Sequence, residues 1–183
     1  MDKDATHTYV FGGAEAGNPL LFKCSWSERR AKIQKPMKST LTFESKEDEG
    51  AIELRVRISV GDFSGSGCAW FSRSQLEKFI AALAQYPLSE GDLPRLSGGY
   101  WDAKEEKVAQ EHVGIIIEPC SKLGALRLSV FVAEPSTENP EDPTRFSCSA
   151  RLSVNYSHLD DVSKGFSELI SGDRDLYAFH LAE

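Results

Sequence analysis

No two cysteines in this sequence lie close enough along the chain to form a metal knuckle or a redox pair. Cys24, Cys68, Cys120 and Cys148 are 44, 52 and 28 residues apart, which excludes Cys-x-x-Cys chemistry and zinc-finger spacing. Each falls in a strand-like segment, where a thiol ordinarily serves as a small apolar group. Histidine is sparse as well: His7, His112, His158 and His180 show neither His-x-x-x-His nor His-Glu-x-x-His spacing, so a helix-borne zinc site has no support. A nucleophile elbow, a Walker loop and a dinucleotide fingerprint are all missing. The nearest approach is Gly61-Asp-Phe-Ser-Gly-Ser-Gly67. A phosphate cradle must open onto a helix N-terminus, whereas this segment runs into the strand-like Cys68-Ala69-Trp70, and a bent or bulged strand is the better reading. No catalytic residue, metal or cofactor is assigned, and the balance is against an enzyme.

Long apolar runs are also lacking. The longest, Val113 to Ile117, has the length of a strand, far short of the roughly 18 residues that suggest a membrane helix. Residues 1–18 begin with Asp2, Lys3 and Asp4 and contain no apolar core, which argues against a signal peptide and for cytoplasmic residence. The formal net charge of −7 disfavours nucleic acid and anionic membranes, because binding to either relies on clustered cations. One basic stretch, with Arg29, Arg30, Lys32, Lys35 and Lys38, has no interleaved aromatics and reads as a solvated connection. A macromolecular partner, if the chain has one, is expected to be another protein, and a basic one. The oligomeric state is left open.

What is present is the make-up of a globular domain: 40% hydrophobic, 27% charged and 10% aromatic residues in 183. A chain of this length buries about 70% of its unfolded surface, so a single domain spanning 1–183 is expected. Short strands are predicted over 6–11, within a peripheral segment 1–18, and over 20–26. Ile52, Leu54, Val56, Ile58 and Val60 alternate with Glu53, Arg55, Arg57 and Ser59, the period of a strand with one buried and one wet face. Ser72 followed by Gln75, with Phe71 and Leu76 as a hydrophobic staple, opens a helix over 73–86 that Pro87 stops. Further strands are expected over 95–101, 112–118, 126–133 and 146–156. A helix capped at Ser157 then covers 158–171, stopped by Gly172, with a tail over 173–183. The halves 19–86 and 95–172 each read as strands followed by a capped helix. The prediction is an α+β fold: a mainly antiparallel, curved sheet with two helices on one face, and a β-β-β-α unit used twice.

Two loops concentrate negative charge. Glu44, Glu47, Asp48 and Glu49 belong to the first, and Glu134, Glu138, Glu141 and Asp142 to the second. Charged hairpin tips keep turns soluble, and they also steer a basic partner. Tyr100 and Trp101 follow Gly98-Gly99 and have the character of interface anchors or of the rim of the core. The alternative to a protein-binding surface is a small-ligand or carbohydrate binder, or an enzyme of unfamiliar type, with its pocket on the sheet face near Trp70, Tyr100 and Trp101. A structural subunit that pairs through an open strand edge is a third reading.

Across residues 40 to 172 the order of elements resembles small bacterial domains of the type of the immunity proteins that neutralise secreted toxins. The matching parts are Leu76-x-x-Phe79-x-x-x-Leu83, Gly98-Gly99-Tyr100-Trp101-Asp102, His112-Val113, a strand that ends near Val132, and Leu152-Ser-Val-Asn-Tyr156. The resemblance implies an antiparallel sheet with two helices and a role in binding another protein, and it transfers no active site.

Overall fold

The computed structural model describes residues 38–182 except 90, 103, 105, 122, 123, 136–143 and 145. The strands expected over 6–11 and 20–26, and the basic stretch apart from Lys38, lie outside the described residues. Eight strands and two helices follow in the order β1 (Lys38–Asp48), β2 (Ala51–Val60), β3 (Phe63–Ser72), α1 (Arg73–Leu83), β4 (Arg95–Trp101), β5 (Val108–Pro119), β6 (Leu126–Ala133), β7 (Ser147–Val154), α2 (Tyr156–Ser171) and β8 (Leu176–Ala182). No helix among them is long and apolar enough to cross a membrane.

The antiparallel α+β class expected from the sequence is what the structure shows, with the strands divided between two sheets of four. Sheet A has the order β3-β2-β1-β8 and sheet B the order β4-β5-β6-β7. Sheet B is a run of consecutive hairpins, whereas sheet A takes its fourth strand from the far end of the chain. Alternation decides what each sheet buries. Leu41 and Phe43 on β1 and Ile52, Leu54, Val56 and Ile58 on β2 face inward, as do Ile115, Leu128, Val130 and Leu152 of sheet B, and all join one apolar cluster. The helices touch each other and pack against the sheets, α2 on β1 and β8 and α1 on β3 and β4. Phe166 of α2 meets Phe43 at 5.0 Å and Phe79 of α1 at 5.2 Å, both edge to face. Each such ring contributes about 1.5–3 kcal/mol by burial, and the edge-to-face geometry adds to this.

Both helix starts are capped. The Gln75 amide donates to Ser72 Oγ at 3.2 Å, and the Ser72 amide donates to Gln75 Oε1 at 2.8 Å, completing the box read from the sequence. The helix closes at Leu83, with Ala84 as its C-cap, rather than at 86. The cap of α2 is Asn155, two residues earlier than Ser157. Its Oδ1 accepts from the His158 amide at 3.1 Å, and the His158 ring nitrogen Nδ1 accepts from the Asn155 amide at 3.3 Å. Asparagine caps as well as serine, and Asn155 holds the extended backbone a cap requires. Ser157 donates to the cap oxygen instead. Gly172, left-handed at φ 80°, ends α2 as expected.

Where the sheets meet, glycine replaces side chains. A Cβ on Gly67 would lie 2.5 Å from the His112 carbonyl oxygen and 2.8 Å from the Ala133 amide nitrogen, and one on Gly65 would lie 2.4 Å from Cys148 Cβ. The segment Gly61–Gly67 is therefore not a phosphate loop. Nor is it bulged, since β3 keeps an unbroken register with β2. Its glycines let β3 cross sheet B at backbone distance.

The first acidic segment, expected as a loop over 45–50, is strand through Asp48. Only Glu49 and Gly50 turn, with φ of 48° and 85°, a two-residue hairpin of the type that needs positive φ twice. Such a turn matches the strand twist, so pairing continues to its edge, with Asp48 opposite Ala51.

Two outcomes follow in denaturant unfolding. Gly67→Ala is expected to destabilise by about 1–3 kcal/mol, because the obstruction is backbone that cannot swing away. Glu49→Asn is expected to stabilise by several tenths of a kcal/mol to about 1 kcal/mol, because asparagine tolerates the left-handed region better than glutamate.

Candidate functional site

Tyr100 and Trp101 end β4, where its pairing with β5 shifts register twice, between Gly98 and Gly99 and between Tyr100 and Trp101. The shifts have a local cause. Gly98 must be bare because a Cβ would strike the Phe71 ring at 2.4 Å, and Gly99, at φ 159°, passes within 2.0 Å of the Gln110 carbonyl measured from the same imagined Cβ. The extra residue on β5 is His112, since Gly98 lies opposite Val113 and Gly99 opposite Glu111. Bulges re-aim side chains. Here the bulge leaves both His112 and its neighbour Val113 buried, while Glu111 reaches the outer face of the sheet.

The Tyr100 ring stands edge-on to the His112 imidazole, with centroids 4.6 Å apart and planes at 82°. His112 Nε2 is 2.7 Å from Gln110 Oε1, so two buried polar side chains satisfy one another beneath the aromatic. Burial holds the His112 pKa below the ordinary histidine value, which keeps the ring neutral. Beyond Trp101, the Asp102 amide donates to the Lys107 carbonyl at 3.0 Å, and Asp102 Oδ1 accepts from the Glu106 amide at 2.9 Å. Tyr100 and Trp101 nevertheless remain 40% and 44% exposed. They are half-open aromatics on adjacent residues at the end of a braced hairpin, with Tyr100 held against His112.

The acidic residues stand elsewhere, on the β1–β2 hairpin of sheet A. Glu47 is partly committed to structure: Arg73 Nη2 donates to its carboxylate at 3.0 Å, and Nη1 of the same guanidinium donates to the Ile170 carbonyl near the end of α2. Asp48 and Glu49 are exposed at the tip and make no ion pair among the described residues. Glu138, Glu141 and Asp142 lie outside the described residues. Of that second segment, Glu134 is exposed, and its amide bonds the Phe146 carbonyl at 3.0 Å, which closes the neck of the β6–β7 connection. The structure thus puts Tyr100 and Trp101 at the end of β4 in sheet B and Glu47, Asp48 and Glu49 in the other sheet.

Sequence reasoning missed a trough of about 390 Å³ on the outer face of sheet B. Cross-strand pairing sets Arg95, Ile116, Ser129 and Arg151 in one row across all four strands. In the neighbouring row Ser97 donates to Glu111 Oε1 at 2.5 Å, and the carboxylate lies over Gly114, where a Cβ would come within 2.8 Å of it. Arg127 pairs with Glu118 at 3.2 Å, whereas Arg95 and Arg151 have no ion-pair partner among the described residues. These two guanidinium groups flank the trough from its edge strands β4 and β7, roughly 14 Å apart by strand spacing, and each can hold a carboxylate or a phosphate. Only strand register sets these arginines in one row, so no motif could have revealed them.

Neither Trp70 nor Tyr100 nor Trp101 lines this trough. Trp70 is half-exposed on the outer face of sheet A. Among the described residues no cluster of three or more metal-ligating side chains occurs. Cys68, Cys120 and Cys148 are free thiols, and burial raises the Cys68 pKa, with the Glu53 charge adding to it, the opposite of an activated nucleophile. Cys120 is exposed just past β5 instead of inside a strand as expected, because pairing with β6 ends at Pro119. No protein-family model, curated protein or solved structure matches the chain.

Because the native state resists protonating His112, its stabilising contribution is complete above the ordinary histidine range and is lost as the pH falls through it. Urea midpoints at about pH 7.5 and about pH 5.5 are expected to differ more for the parent chain than for His112→Asn, which removes this ionisation.

Proposed function

We propose that the chain is a non-enzymatic protein-binding module, an immunity-like inhibitor that covers the surface of a basic partner. The observation that carries this reading is the Tyr100–Trp101 pair. Its rings are half-exposed while the backbone beneath them is bulged, braced and seated on a buried histidine. Ordering a mobile aromatic on binding costs affinity, and Tyr100, already held against His112, avoids much of that cost. Tyrosine and tryptophan are also the side chains most enriched at interface hot spots. The sign of the partner is argued from the net charge of −7 and from Asp48 and Glu49, whose carboxylates make no ion pair among the described residues at a hairpin tip and attract cations during approach.

A second reading, a small-ligand binder, is favoured by the arginine-flanked trough on sheet B, whose volume falls in the range of ligand sites. Its ligand would be anionic, and its affinity would be indifferent to Trp101.

The deciding measurement is capture of partners from a lysate by the tagged chain, at low and then at moderate salt. Trp101→Ala and Tyr100→Ala are expected each to weaken retention of a basic protein by about 2 kcal/mol or more. Asp48→Lys with Glu49→Lys is expected to slow association and flatten its salt dependence. Retention that survives all four changes refutes the proposal. Arginine-dependent thermal stabilisation by small anions, with no protein retained, would favour the second reading.

A further inference from the structure

The outer strands of the two sheets differ in how well they are guarded against pairing with another chain. Monomeric proteins blunt such edges with charge, proline, bulges or cover. β4 is broken by two register shifts and packs against α1. β3 crosses sheet B through Gly65 and Gly67, and β7 carries Arg151 in its middle. β8 follows α2 much as β4 follows α1 and is likewise packed by its helix on one face, but among the described residues its hydrogen-bonding edge has no bulge, proline or charged side chain. Its sequence Leu-Tyr-Ala-Phe-His-Leu-Ala contains no proline, glycine, lysine, arginine or carboxylate, and its register with β1 is unbroken over all seven residues. Leu176, at its start, is 50% exposed.

Beside this edge a groove of about 440 Å³ runs between α2 and β8, with Asp161, Lys164, Glu168 and Arg174 among its lining. The signs alternate and cancel. Glu168 and Arg174 pair with each other at 3.0 Å, whereas Asp161 and Lys164 make no ion pair among the described residues. A strongly basic or acidic partner would find no complement in such a rim. A copy of the same chain would, because a two-fold axis runs α2 antiparallel to its mate and turns Lys164 of each copy toward Asp161 of the other.

We propose that β8 pairs antiparallel with β8 of a second copy, joining two A sheets into one of eight strands. The inference is independent of the Tyr100–Trp101 reading. It is tested on the full chain by sedimentation velocity from about 1 μM to about 100 μM, a span that brackets micromolar self-association. A concentration-dependent dimer is expected. Ala178→Lys sets like charges against each other across the axis and is expected to weaken the dimer by at least about tenfold, with an unchanged circular dichroism spectrum. Should that variant misfold, Leu176→Lys carries the test, because its lysine emerges beside Glu44 and is expected to keep the fold. A parent chain that stays monomeric throughout overturns the proposal, and so does a dimer that the folded variants leave intact.

Discussion

Sheet A meets sheet B along β3, and the rest of the molecule is arranged around the closeness of that contact. Two sheets that pack through full side chains lie about 10 Å apart. At Gly67 the approach is between backbones, with the His112 carbonyl and the Ala133 amide where a side chain would otherwise stand. The closeness brings the inner faces of both sheets into a single apolar cluster, to which the two helices add their own apolar sides. It also reaches the surface. The strand that Gly67 touches is the one that bulges at His112, and Gly98 on β4 stays bare against the Phe71 ring of β3. The aromatic pair at the hairpin end is a downstream result of that crowding.

Seen this way, the exposed features have different standing. Tyr100 and Trp101 inherit rigidity from the core, through His112 and the braced turn. Glu47 belongs to a three-way tie in which one guanidinium joins the end of β1, the start of α1 and the last turn of α2. Asp48 and Glu49 project beyond that tie. The arginines of the outer trough are ordinary outward-facing strand residues that acquire a common position because four strands happen to be in register.

Local rules were legible in the sequence. Alternation from Ile52 to Val60 located β2 and its buried face, the Ser72–Gln75 box located α1, and Gly172 located the end of α2, because each depends on neighbours in the chain. Features that depend on partners distant in the chain were not. Alternation tells which side of a strand is buried and nothing about which strand lies beside it, so the division into two sheets and the pairing of β8 with β1 had no signal. Asn155 and Ser157 are equivalent as caps, and the choice between them rests on where β7 stops pairing. The acidic segment looked like a loop because glutamate and aspartate are poor strand formers. Pairing with β2 overrode that preference. His112 looked like an ordinary strand residue, since a bulge follows from crowding that only the packed structure reveals.

The late arrival of β8 bears on the order in which a growing chain can assemble. Strands β4 to β7 are neighbours in both sequence and space, so sheet B can close as it is synthesised, through connections between consecutive strands. The hairpins of sheet A form earlier still, but β1 keeps one flank without hydrogen-bond partners until residues 176–182 have left the ribosome. From the synthesis of β1, Lys38–Asp48, until that of β8, this flank is without the partner strand it takes in the fold, and a chaperone that shields β1 would be of most use in that interval.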